Sequence, residues 1–120
     1  NECCIGYRPK HIEQIMKQTG MRFCLDFGHA IFSAASDAVN WKERVLKFLE
    51  LKPCMYHLSD GQIVSVKDEH LHLGDGGFDL LWIIQQIEHN AMISLECKKD
   101  SKDNLDDFEM DALYLRNIEK

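Results

Sequence analysis

The chain has 120 residues, 45% hydrophobic and 28% charged, which is the balance of one ordinary globular domain. A net charge of −6, with basic residues scattered rather than clustered, argues against a nucleic-acid surface, which needs a basic stripe to neutralise phosphates. Cys3, Cys4, Cys24, Cys54 and Cys97 include no CxxC pair, so a reducing cytoplasm is expected rather than a disulfide framework, and no signal peptide or transmembrane run points to a membrane.

The chain opens Asn-Glu-Cys-Cys, without Met or a strand-like lead-in, and this reads as a segment cut from a longer protein. From Arg8 to Gln18, Ile12, Ile15 and Met16 have helical spacing, with Gly20 as the stop. Met21 to Leu25 is expected to be a buried strand, and Gly28 to Ser36 a loop of small residues. Asp37 is the expected N-cap of a helix to about Leu51, with Val39, Val45, Leu46, Phe48 and Leu49 as its apolar stripe. Pro53 ends that unit and Cys54 to Leu58 follows as a strand. Ser59 to Gly77, with Gly61, Gly74, Gly76, Gly77 and several charges, reads as a long functional loop. A helix over roughly Asp79 to His89, a strand over Ala91 to Leu95, a charged loop from Lys98 to Asp106 and a helix from Phe108 to Ile118 complete the chain.

The order is α, β, α, β, α, β, α, with crossovers long enough for parallel pairing. Each strand ends in a group able to bind a metal: Asp26, His57 and Glu96. Apolar strands presenting polar groups at their C-terminal ends build the active site of a parallel β/α barrel. Three strands do not close such a barrel. Residues 1–120 are therefore expected to be the C-terminal part, about three β/α units, of a (β/α)8 TIM barrel. The upstream strands of the same polypeptide are then its expected partner. Unpaired strand edges would make the isolated chain unstable or self-associating, as a homo-oligomer.

Four constellations carry chemistry. Asp26-Phe27-Gly28-His29 places a carboxylate and an imidazole three apart, just past a strand end. Its Asp-Phe-Gly is not that of a protein kinase, since no catalytic loop precedes it and no glycine-rich nucleotide loop accompanies it. His57-Leu58-Ser59-Asp60 offers an imidazole that Asp60 either orients or leaves in favour of capping the turn. In Asp68-Glu69-His70-Leu71-His72, alternation puts Asp68, His70 and His72 on one face and Glu69 outward. Glu96, a buried acid, needs a metal or a cation such as Lys98 as partner. Glu2 is a weaker candidate, and His11 and His89 read as surface residues.

With these residues in place, the chain resembles the xylose-isomerase-like TIM-barrel superfamily, which includes sugar isomerases and epimerases and the endonuclease IV family. The resemblance spans nearly the whole chain and rests on four features. They are Asp26-x-x-His29, the strand-end His57, Asp68-x-His70 followed by Gly74, and the strand-end Glu96. It implies one divalent ion (manganese, magnesium, cobalt or zinc) on Asp26, His57 and Glu96. The fourth ligand would be a Glu preceding the chain, or Glu2. It implies Glu96 as the catalytic acid and base, and His29 at substrate oxygen with His72 beside it. By analogy with the endonuclease branch, His29, Asp68 and His70 would hold a second metal. Glu69 stands where that branch has Arg, and a carboxylate there repels a phosphate backbone. The resemblance therefore implies a small sugar or sugar-phosphate substrate and enediolate proton transfer. Its alternatives are a zinc phosphodiesterase on abasic DNA and a non-catalytic fragment.

Overall fold

The computed structural model describes residues 6–118, so Glu2, Cys3 and Cys4 lie outside the described residues. Among the described residues eight elements follow one another: α1 (Pro9–Thr19), β1 (Cys24–Asp26), α2 (Phe27–Ser36), α3 (Trp41–Leu49), β2 (Met55–Leu58), α4 (Leu80–Gln85), β3 (Ile93–Leu95) and α5 (Asp106–Ile118). The three strands form one parallel sheet in the order β1-β2-β3. All three predicted strands exist and pair in parallel.

The barrel does not. The sheet is open, with β1 and β3 as its edges, and together with five helices it makes a small α/β unit rather than an arc of a (β/α)8 barrel. The reason is physical. Parallel strands with helical crossovers and polar strand ends are common to open α/β sheets and to barrels. Closure depends on strand number and stagger, which three short strands do not carry.

Residues 28–36, expected as a loop, form most of α2. The small residues there include Ala30, Ala34 and Ala35, and alanine is the strongest helix former. The Asp26 carboxylate caps this helix by accepting the His29 N–H at 3.0 Å. Asp37 closes α2 instead of opening α3, whose N-cap is Asn40, accepting the Glu43 N–H at 3.1 Å. Of the predicted α3 stripe, Val45 and Phe48 are buried, whereas Val39 and Leu46 are exposed.

Alternation along the strands sets the layers. Leu25, Tyr56 and Leu58 turn into the core, where Phe27 stacks on Tyr56 with ring centroids 5.6 Å apart. Phe32, Phe78, Ile83 and Val45 fill the same core. Cys24 is half-buried, Cys54 exposed and Cys97 buried, and all three are free thiols. Among the described residues no helix is long and apolar enough to cross a membrane.

Candidate metal centre

Backbone register brings the three strand-end groups together. Asp26 pairs with His57 across β1 and β2, and His57 pairs with Ser94 across β2 and β3. Glu96 lies two residues beyond Ser94, on the same face by the two-residue period of a strand, and its N–H still donates to the Leu58 carbonyl at 2.9 Å. The side chains converge accordingly. His57 Nδ1 lies 2.9 Å from Glu96 Oε1 and 3.7 Å from Asp26 Oδ2. One donor atom from each residue falls within 4.8 Å of the others. Their side chains keep 20–35% exposure, so the group is open to a ligand from solvent. Lys98, the alternative partner for Glu96, is exposed.

A second arrangement adjoins the first through the turn from β1 to α2. Asp68 Oδ2 sits 2.7 Å from His29 Nε2 and 2.8 Å from His70 Nε2. The His70 ring is fixed by Nδ1, which lies 2.6 Å from the Glu96 carbonyl. A carbonyl oxygen only accepts, so Nδ1 carries the proton, and in a neutral ring Nε2 presents a lone pair to the Asp68 carboxylate. Two lone pairs facing each other at that distance are reconciled by a second ring proton or by a metal ion. The other Asp68 oxygen, Oδ1, is buried without a hydrogen-bond partner. The donors of both arrangements, carboxylate and imidazole, suit a hard-to-borderline divalent ion. The residues fit the metal that the resemblance implies.

The glycine-rich loop that delivers Asp68 and His70 is organised by Asp60, which is 1% exposed. Its carboxylate accepts four backbone N–H groups, from Gly61, Gly74, Gly76 and Phe78, at 2.8–3.1 Å. Asp60 therefore caps the loop and does not orient His57. Gly76 is required at its position, because a Cβ there would collide with Asp60 Oδ1 and meet Gly61 backbone atoms at 2.6 Å. Four glycines within one loop were the sequence signal for this fold, although nothing in the sequence tied them to Asp60.

His72 does not share the face of Asp68 and His70. His70 adopts φ +49°, which breaks the extended alternation that the shared face assumed. His72 turns instead to Asp111 and Asp100, each 2.7 Å from one of its ring nitrogens. Hydrogen bonding to Asp111 is the main cause holding its pKa above the ordinary 6.5, with Asp100 adding to it. Burial first, and then the hydrogen bond to Asp111, push the Cys97 thiol up to about 12. Glu69 turns back into its own loop, where Oε1 accepts the Gln62 N–H at 2.7 Å. A cleft of about 200 Å³ borders the centre, its mostly apolar wall (Phe23, Leu25, Ala30 and Phe48) carrying Asp26 and His29.

Comparisons with family models, with curated proteins and with solved structures returned no match.

Proposed function

We propose that this protein is a divalent-metal-dependent isomerase or epimerase of sugars or sugar phosphates, moving a proton beside a carbonyl group. The observation that carries the reading is the convergence of Asp26, His57 and Glu96 at three consecutive strand ends, within 4.8 Å of one another. These residues would hold the ion, which when bound supplies a Lewis acid for neighbouring carbonyl and hydroxyl oxygens. Glu96 is the proton carrier: one carboxylate oxygen faces His57, and the other takes the proton from carbon and returns it to the adjacent carbon on the same face, while the hydroxyl proton passes between the two neighbouring oxygens; inversion at a single carbon requires a second acid on the opposite face. His29, with its side chain 57% exposed, meets a substrate oxygen at the mouth of the cleft. Apolar Phe23 and Leu25 shield the reacting carbon from water.

The test is deuterium wash-in. Wild-type protein with manganese, incubated in heavy water with a panel of aldose and ketose phosphates, is expected to place deuterium on the carbon beside the carbonyl. Glu96→Gln is expected to abolish this. No wash-in by the wild type, or wash-in retained by Glu96→Gln, overturns the reading.

A second reading is favoured by the Asp68 arrangement. Two ions side by side are the usual means of activating water for phosphodiester hydrolysis. Zinc-dependent nicking of a duplex containing an abasic site, together with failure of wash-in, would select this alternative.

A further inference from the structure

Apart from these two arrangements, a third group of donors lies where the glycine-rich loop, the exit of β3 and helix α5 meet. His72, Cys97 and Asp111 each bring one ligand atom within 4.8 Å of the others. Cys97 is 8% exposed and Asp111 2%. His72 Nδ1 lies 2.7 Å from Asp111 Oδ2, and Nε2 lies 2.7 Å from Asp100 Oδ2. A neutral imidazole carries one N–H and cannot serve two carboxylates. The ring therefore requires one more cation, either a second proton or a metal ion.

We propose that His72 Nδ1, Cys97 Sγ and Asp111 Oδ2 form a zinc site, with water as the fourth ligand. A thiolate beside an imidazole and a carboxylate is a borderline-soft donor set, which takes zinc in preference to magnesium or manganese. The supporting hydrogen bonds already stand. Asp100 accepts the Nε2–H of His72, the usual brace of a zinc-bound histidine. The Leu73 N–H fixes the other oxygen of Asp111 at 2.8 Å. With zinc–ligand bonds of about 2.0–2.3 Å, tetrahedral donors stand roughly 3.3–3.8 Å apart, so the site closes with shifts below about 1 Å. Asp111 is also the one buried residue of α5. Zinc there clamps that helix to the loop and to β3 at the point where it enters the protein.

The test is cobalt substitution followed by zinc absorption-edge spectroscopy, neither of which depends on activity. Cobalt-loaded wild type is expected to show a thiolate-to-cobalt charge-transfer band. The band should persist in His57→Ala and Cys24→Ser and disappear in Cys97→Ser. No band in the wild type, or a band that survives Cys97→Ser, overturns the proposal. Should Cys97→Ser fail to fold, the zinc edge of the wild type decides: a sulfur neighbour at about 2.3 Å is required, and nitrogen and oxygen neighbours alone overturn the proposal. Asp100→Asn is expected to weaken zinc binding about 10- to 100-fold, and unchanged affinity would remove its bracing role.

Discussion

Asp26, His57 and Glu96 come from three strand ends tied together by backbone pairing, whereas His72, Cys97 and Asp111 come from a loop, a strand exit and a helix joined through side chains. In the first group, register fixes the Cα positions before any side chain is chosen, and the two-residue period fixes the face. In the second, position depends on how the loop folds over Asp60 and on where α5 docks. The first is therefore expected to keep its geometry when donors are exchanged, and the second to lose it when the loop is disturbed. The loop serves both regions, since it also carries Asp68 and His70 to the strand-end group.

The largest effect expected separates chemistry from folding. Glu96→Gln should lower proton-transfer activity by about 10²–10⁴, the range for loss of a general acid or base, while the thermal unfolding midpoint stays near that of the wild type. A large fall in that midpoint would mean that the strand-end group supports the fold after all.

Disturbing the loop should produce the reverse pattern. Asp60→Ala removes the acceptor of four backbone N–H groups, two of them in buried and two in part-buried hydrogen bonds, and should cost about 3–5 kcal/mol in denaturant unfolding. Gly76→Ala, which drives a Cβ into Asp60 and the Gly61 backbone, should cost about 1–3 kcal/mol. Metal binding at His72 and at Asp68 should weaken together in both variants. Near-wild-type stability in Asp60→Ala would contradict the role given to that carboxylate.

The knot between α1, α2 and α3 is the control region and shares no residue with either group. Buried Arg44 donates to Asp37 at 2.6 Å, and Arg8 donates to the same carboxylate at 2.9 Å. The Arg8 hydrogen bond, and next that of Arg44, lower the Asp37 pKa from the ordinary 3.8 to about 2. Because the folded value is the lower one, this stabilisation is complete above about pH 3.8 and is lost as the pH falls towards about 2. Asp37→Asn should cost about 2 kcal/mol at neutral pH and flatten the acid limb of the stability profile. An unchanged acid limb would rule the pair out as its source. The smallest effect belongs to Asn40→Ala, which removes the α3 cap and should cost about 1 kcal/mol without affecting metal binding.

Much of the strand-end group was legible in the sequence because each donor directly follows a short apolar run, and local pattern reports strand ends well. The helix from Phe27 to Ser36 was missed because glycine and serine among its alanines resembled loop chemistry. The face shared by His70 and His72 was misread because alternation assumes extended backbone, and His70 leaves it at φ +49°. Asp111 gave no signal at all. An aspartate in an amphipathic helix reads as solvated, and its burial against Cys97 exists only once α5 has docked.

By itself the sequence determined three parallel strands, their order along the chain and the polar residues that end them, since periodicity and strand-end chemistry are local properties. Only the tertiary structure decided that the sheet stays open, that Asp60 gathers the glycine loop, and that His72, Cys97 and Asp111 meet. Those outcomes rest on contacts between residues 14 to 39 positions apart, and such contacts leave no period in the chain.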